Sequence, residues 1–577
     1  MKVKKQAAIW LVTMLAGFAN AAAKPGVDTS QIDRMVEYAS RLKAQLGPNI
    51  KHLSGPAQTL IELGTGMERL KADAATLSTA HRGGASGSIE PRLQGPEMLA
   101  QPGLKLAPGI PASAPNLSHT RFSGAVQSGT STAWCGKKVV VGFNDSDSFW
   151  ETGGLLAFFG ITPPTSGLSL NGYAVSANSG HSFTDKGLPA AGPVHTLMQG
   201  DPVLACADPN TFFYASLYED FNAGTSAISL SRSTNGGDTF GPPKAAVAKS
   251  SSSHLLDKPW MTVNQATPHD IFITYTDFEM SASVCGLGSR TAIELVSSTD
   301  GGSTWSNPTV VVEVCGGSVV QGSQVVVDPA SGNVFVAWEL FASDFYTREL
   351  DIAKSADSGE TFSSPVTVSK ADAVGDGAFS FGIQGFIRDF EYPSLTVGKG
   401  KNAGALYITW NDGDNRIKDD WLGLIMITSG VGDGNYGFSD VFFSSSADDG
   451  STWSSPVIVN APSSIPIDHY QPVVASDKTG KVAVCWYDRR RDKNNFLIDR
   501  ECGKSSNGGA TWSNTRITKS NYASVVSQDI LAPLPGFGSL GNDYDQLTSE
   551  ATNSSSGFVG GFVNNQAGNQ NVQVNKL

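Results

Sequence analysis

A short stretch, Ser-x-Asp-x-Gly-x-Thr-Trp, recurs along the chain and limits the folds open to it. The cleanest copies run Ser298 to Trp305 and Ser446 to Trp453. Looser copies run Ser176 to Phe183, Ser233 to Phe240, Ser355 to Phe362 and Ser505 to Trp512. Their Asp/Asn positions are Asn178, Asn235, Asp300, Asp357, Asp448 and Asn507, in steps of 57, 65, 57, 91 and 59 residues. Periods of this size belong to a stacked or closed array of one supersecondary unit. The Asp or Asn is read as bonding backbone N–H groups of its own turn, with the Gly avoiding a Cβ clash and the aromatic covering the hairpin. Asn at three copies argues for a folding device, since an amide makes the turn bond but is no general base.

Between copies the chain reads as β. Apolar strand pairs fall near 121–144, 202–218, 259–276, 324–339, 393–410, 472–487 and 548–563, with turns such as Asp328-Pro329-Ala330-Ser331-Gly332-Asn333 between strands. A further strand leads into each repeated stretch and another, such as Thr309 to Val312, leaves it. Each unit is therefore a four-stranded antiparallel meander with the repeat as its last hairpin turn. Seven pairs accompany six repeats. Asn571 to Asn575 could serve as a third strand of the last unit, with a fourth from the N-terminal side closing the ring.

Residues 1–23 read as a secretory signal: three lysines in the first five positions, the 13-residue apolar run Ala7 to Ala19, and a small-residue cleavage site. That run is too short to span a bilayer, and no later run qualifies, so the expected product is exported, secreted or periplasmic. The net charge of −12 gives no reason to expect nucleic acid as partner. In an exported chain the six cysteines read as disulfides. Cys485 and Cys502 lie in neighbouring strands of one unit, and Cys285 and Cys315 flank the repeat at Asp300. That leaves Cys135 with Cys206. Residues 24–81 are helical in pattern. Ile32, Met35, Val36, Ala39, Leu42 and Leu46 share one face, Ser30 and Asp33 stand as N-cap and N3, and Gly47-Pro48 stops the helix. A second helix is expected from about Pro56 to Leu77. Residues 82–117 form a Gly/Pro/Ser-rich linker, and 118–577 the β array. The helical piece is open to reading as a propeptide, a docking segment or a lid.

The repeats are Asp boxes, also called BNR repeats, and the chain over about 118–577 resembles the sialidase-like family of β-propellers of secreted bacterial type. The resemblance implies an all-β propeller of four-stranded blades, seven preferred over the six of sialidases, with a short helical N-terminal extension. In a propeller the residues just before each innermost strand converge on one channel mouth. Here those are Asp201, Asp257 with Lys258, Glu391 with Tyr392, His469 with Tyr470, and Tyr544, each in a short polar-aromatic stretch, most followed by Pro.

Sialidases hold a substrate carboxylate with three arginines and use a Tyr nucleophile paired with Glu, plus an Asp acid/base. The resemblance thus makes Tyr544 the nucleophile, Glu391 its partner, Asp257 or Asp201 the acid/base, and Arg388, Arg489 and Arg121 the carboxylate ligands. The family's Phe-Arg-Ile-Pro motif is absent, and Arg121 is the only arginine between Arg92 and Arg232. An alternative for Arg489 is a salt bridge with Asp488 or Asp492. The oxygen-rich stretches Asn411 to Asn415 and Asn144 to Asp147 could hold Ca²⁺, but they lack the spacing of a complete Ca²⁺ loop and read better as Asx-turns, so no cofactor is expected. Two functions remain: a sialidase-type glycoside hydrolase acting on an extracellular glycan or glycoprotein, or a non-catalytic propeller that binds glycan or protein at the same mouth.

Overall fold

The computed structural model describes residues 30–54, 57–58, 60–61, 110–111, 127–145, 148–149, 152, 165–281, 285, 289–343, 347–372, 374, 383, 387, 389–418, 435–463, 467–523, 544–564 and 571–577. The β residues form seven sheets arranged as a propeller, antiparallel apart from the short strand Leu168–Ser169, which pairs parallel with Thr196–Cys206. The innermost strands are Gln127–Cys135 (blade 1), Thr196–Cys206 (blade 2), His254–Val263 (blade 3), Val319–Val327 (blade 4), Ser394–Val397 (blade 5), His469–Ser476 (blade 6) and Leu547–Ser549 (blade 7). In blade 7, Phe558–Asn564 and Asn571–Lys576 follow, and Ile110–Pro111 pairs outside them, Ile110 opposite Val574. The two ends of the β array thus close the ring within one sheet, which removes free edges. This also explains seven blades with six repeated turns. The repeated turn joins third and fourth strands, and in blade 7 those two strands come from opposite ends of the array.

All six turns share one hydrogen-bond pattern. At Asp300, Oδ1 accepts from the Ser298 hydroxyl at 2.8 Å and the Thr304 N–H at 2.9 Å, while Oδ2 accepts from Thr304 Oγ1 at 2.7 Å. Asn178 reproduces it, its Oδ1 accepting from the Ser182 N–H and its Nδ2 donating to Ser182 Oγ. These bonds hold the Asp300 carboxyl down at about 2, the Thr304 N–H contributing most. The turn also clamps blades together. Gly302 has φ 82°, and a Cβ there would lie 2.3 Å from Leu230 of the preceding blade. Gly509 has φ 95°, with Phe443 of blade 5 at 2.0 Å from such a Cβ. The aromatic of the turn joins this seam: Phe240 of blade 2 meets Tyr173 of blade 1 edge-on at 5.2 Å.

Three disulfides are present, Cys135–Cys206, Cys285–Cys315 and Cys485–Cys502. The first ties blade 1 to blade 2, and the last joins directly opposed residues of blade 6. No helix among the described residues is long and apolar enough to cross a membrane. The signal segment and most of the second expected helix lie outside the described residues, as does most of the linker.

Helix α1 spans Ser30–Leu46 and gives way at Gly47 to a 3-10 turn, Gly47–His52, that carries a Pro in its first turn. Its buried stripe, Met35, Val36, Tyr38, Ala39, Leu42 and Leu46, follows the 3.6-residue period from Met35 onward, with Tyr38 added; the side chain of Ile32 lies outside the described residues. In two stretches read as Asx-turns, the described residues are instead strand. Asn144 and Asp145 end the second strand of blade 1, Lys138–Asp145, and Asn411 to Asn415 lie inside Leu406–Lys418 of blade 5. There Asp412 is buried and pushed up to about 7 by burial, though it accepts the Asp372 N–H at 3.0 Å. Polar residues here are satisfied by neighbouring blades, not within a turn: Asn144 Oδ1 accepts the Asp201 N–H and Asn411 Oδ1 the Gln471 N–H.

Candidate functional site

The strands dictate where polar side chains gather. Each innermost strand begins on one face, here the front, and runs to the back, where the repeated turns lie: in blade 3, Val263 pairs with Ile271, which pairs with Ser298. The Pro-containing stretches do not precede the innermost strands of blades 2, 3 and 6, as sequence suggests, but lie inside them. There two residues of the first strand oppose one of the second: the pairing jumps from Gly200 to Val203, Asp257 to Trp260 and Tyr470 to Val473. Blades 1 and 4 do the same from Ser128 to Ser131 and Gln321 to Gln324. A Pro is tolerated because a bulge leaves its position unpaired. Only in blades 5 and 7 do the expected residues, Glu391-Tyr392 and Tyr544, stand ahead of the strand.

The first bulge residue is left-handed every time: Gly129 (φ 58°), Asp201 (φ 49°), Lys258 (φ 50°), Gly322 (φ 68°) and Gln471 (φ 48°). Left-handed backbone costs a non-glycine residue on the order of 1 kcal/mol or more. Three blades bear that cost, and in each the residue is a long or charged polar one.

Lys258 is the hub. Its Nζ lies 3.8 Å from Asp201 Oδ2, 5.1 Å from the Tyr544 ring centre and 5.5 Å from that of Tyr392. Blades 2, 3, 5 and 7 therefore meet at one ammonium. Tyr544 donates its hydroxyl to the Pro202 carbonyl at 3.2 Å and stands edge-on to Trp260 at 6.0 Å. Tyr392 stacks on Phe390 at 4.6 Å. The bulge glycine of blade 4 makes room for one of these rings: a Cβ on Gly322 would sit 2.1 Å from Tyr392, whereas one on Gly129 would collide with the Asn144 amide at 2.7 Å. Lys258 and Asp201 are almost wholly buried, at 4% and 0% exposure. Asp257, beside them, accepts from Gln321 Nε2 at 2.9 Å and from the Ser54 N–H at 2.6 Å.

The other expected residues sort differently. Glu391 turns to Arg348, Oε2 to Nε 3.3 Å, and accepts the Val374 N–H at 2.7 Å. Arg348 also contacts Glu339 at 3.1 Å, and burial, then the Glu391 charge, push Glu339 well above the usual carboxylic range. His469 bonds Asp488 at 3.0 Å, and Tyr470 stacks on Tyr487 at 5.3 Å. Arg489 is fully buried. Its partners are Asp468 at 3.6 Å and the Asn495 carbonyl at 2.7 Å, not Asp488 or Asp492. Arg121 and Arg388 lie outside the described residues.

Sequence reasoning passed over Glu339, and the cluster in which Tyr487 donates to Asp545 at 2.7 Å with Arg500 3.4 Å from that carboxylate. A signal existed: the dipeptides Trp338-Glu339, Trp410-Asn411 and Trp486-Tyr487 recur at the same place in second strands. The residue after the Trp faces the bulge, Glu339 opposite Gln321 and Tyr487 opposite Tyr470. Among the described residues, His254, Asp277 and Glu279 come within reach of one metal ion. Lys249 at 2.8 Å and Arg290 at 3.6 Å from Asp277 already supply positive charge there.

No family model matches the sequence. No curated relative matches it either. Solved structures do resemble it in shape. The Hadza microbial sialidase Hz136 is 15% identical, over 70% of this chain and 73% of its own, with a TM-score of 0.38. The α-L-arabinanase of Penicillium chrysogenum, solved with arabinobiose, is 12% identical over 72% of this chain and 98% of its own, at 0.40. A polysaccharide lyase of family PL25, an ulvan lyase, is 7% identical over 79% of this chain and 94% of its own, at 0.44.

Proposed function

We propose that the chain is an exported glycoside hydrolase that acts on an acidic extracellular glycan at the front mouth. The observation that carries this is the Lys258 hub. One ammonium, one carboxylate and two tyrosine rings from four blades converge, with two of the polar residues on strained backbone. Aromatic faces suit the apolar faces of sugar rings. Lys258 suits a sugar carboxylate, and Asp201 a proton transfer at the glycosidic oxygen. The finer reading is exo-sialidase chemistry, with Tyr544 as nucleophile and Glu391 and Asp257 assisting. A three-arginine carboxylate site is less favoured, because Arg348, Arg489 and Arg500 each face buried carboxylates of the protein itself. Lys258 then takes the anionic group.

The alternative is glycan binding without turnover, favoured by the Tyr544 hydroxyl being engaged with the Pro202 carbonyl. A panel of aryl glycosides that includes a sialoside, run on the wild type, Asp201→Asn and Tyr544→Phe, separates the two. Turnover that falls at least about 100-fold in Asp201→Asn supports hydrolysis. No turnover, with retention on a glycan array that Lys258→Ala abolishes, supports binding alone. Neither result would remove the glycan reading.

A further inference from the structure

The residues ahead of the propeller come back to the mouth. Met35, Leu42, Leu46, Leu53, Leu60 and Ile61 join one apolar cluster with Leu197, Leu255 and Val319. Those three lie at the front ends of the innermost strands of blades 2, 3 and 4. Phe278 and Phe341, at the front ends of second strands, and Phe390, just ahead of Tyr392, complete the cluster. Polar contacts fix the register. Arg41 donates to the Ser251 carbonyl at 3.3 Å, Gln45 to the Ser252 carbonyl at 3.1 Å and Asn49 to Ser289 Oγ at 2.7 Å. His52 sits edge-on to Phe341 at 4.9 Å. The path ends with the Ser54 N–H on the Asp257 carboxylate, at the residue before Lys258. This segment therefore covers the same face, and reaches the same residue pair, that the polar cluster occupies.

We propose that residues 30–61 are a displaceable plug, seated in the front mouth by the apolar stripe of α1 and closing it to substrate through Ser54. Covalent attachment through residues 62–109 keeps it at high local concentration, so it competes with a ligand as an intramolecular one. Cleavage in that Gly/Pro/Ser-rich stretch, or a partner that takes the apolar stripe, would open the mouth. That the opened mouth receives glycan rests on the function proposed above; that the segment closes it does not.

The test uses the full-length chain and no substrate. Met35→Asp with Leu42→Asp places two carboxylates in the apolar seam and leaves every mouth residue in place. Two quantities are read together at fixed pH by mass spectrometry: amide exchange of α1, and acylation of Lys258 by an amine reagent, with exposed Lys478 on the back face as internal control. The expected result is faster exchange in α1 and at least about tenfold faster labelling of Lys258, with Lys478 unchanged. Met35→Leu, which keeps the stripe apolar, should label as the wild type does. Faster α1 exchange with Lys258 still protected overturns the plug, as does a double variant that changes neither reading. If Lys258 opens but the double variant turns over or retains no glycan, the plug stands and the glycan reading fails.

Discussion

The two faces of this propeller are built on opposite principles. On the back, six turns repeat one set of bonds, each closing within eight residues, and five of them seat a glycine tightly against the preceding blade. On the front, the same bulge recurs in five blades, but the residue it presents differs: Gly129, Asp201, Lys258, Gly322 and Gln471. A feature that every blade needs stays constant, while a feature that acts once per molecule varies from blade to blade. Both faces carry non-glycine residues on left-handed backbone, but in different company: Ser179, Ser358 and Asp449 in the back-face turns are each followed directly by a glycine, whereas the front puts Asp201, Lys258 and Gln471 into strand bulges.

The largest expected break in this contrast is at Asp201. Asp201→Asn should lower glycoside turnover at least about 100-fold while the thermal midpoint moves little, as fits a group that handles a proton. A matched pair comes next. Gly509→Ala and Gly322→Ala both force a Cβ to about 2 Å from an aromatic ring. The first strikes Phe443 in a blade seam and should cost about 2–4 kcal/mol of stability in denaturant unfolding, with glycan binding per folded molecule intact. The second strikes Tyr392 and should lose glycan binding out of proportion to its stability loss. Equal patterns in the two variants would erase the distinction between faces.

A smaller effect concerns pH and the plug. Glu219 is buried beneath α1 and pushed up to about 8 by burial, which the Ser226 hydroxyl, the Tyr38 hydroxyl and the Arg41 guanidinium only partly offset. Released from the helix, its carboxyl returns toward the ordinary value near 4.5. The docked form thus binds the extra proton between those values, and docking weakens as pH rises from about 4.5 through about 8. After the chain is cut within residues 82–109, the fraction of the N-terminal piece that co-elutes with the propeller should fall between pH 6 and 9. Glu219→Gln should flatten that dependence. The smallest effect is at Asp300. Its folded-state carboxyl is held low, so its contribution is present above the unfolded value of 3.8 and is lost as pH falls toward about 2. Asp300→Asn should unfold at nearly the wild-type midpoint at neutral pH, because Asn178 makes equivalent bonds, and should reduce the acid sensitivity slightly.

Much of the scaffold could be read from residues alone. A repeated turn is local, so its Ser, Asp, Gly and Thr betray it, and the stripe of α1 follows a single period. The seven blades followed from counting strand pairs, and ring closure by an N-terminal strand from the lone strand at Asn571, but the strand that closes it, Ile110–Pro111, lies in the stretch read as linker. The front was legible in part. Lys258, Asp201, Tyr392 and Tyr544 were picked out because Pro and polar-aromatic stretches recur at the right places. What sequence hid was the bulge. A Pro inside a strand and a Pro at its start look alike, and only cross-strand pairing tells them apart. Glu339, and the contacts of Asp545, escaped notice for a related reason. Their roles depend on partners in other blades, Glu391 for one and Tyr487 and Thr130 for the other, which no local pattern reveals. Arg489 was expected to meet a substrate carboxylate or its sequence neighbours Asp488 and Asp492, whereas its side chain turns inward to Asp468.

That the front mouth receives the ligand and the repeated turns only hold the ring is best tested by amide exchange of the full-length Met35→Asp/Leu42→Asp variant, in which the mouth is open, with and without a pool of acidic oligosaccharides. Slowed exchange in 196–206, 254–263 and 544–549, with 298–305 and 446–453 unchanged, is the expected result. Protection concentrated in the repeated turns, with the front strands unaffected, would contradict it.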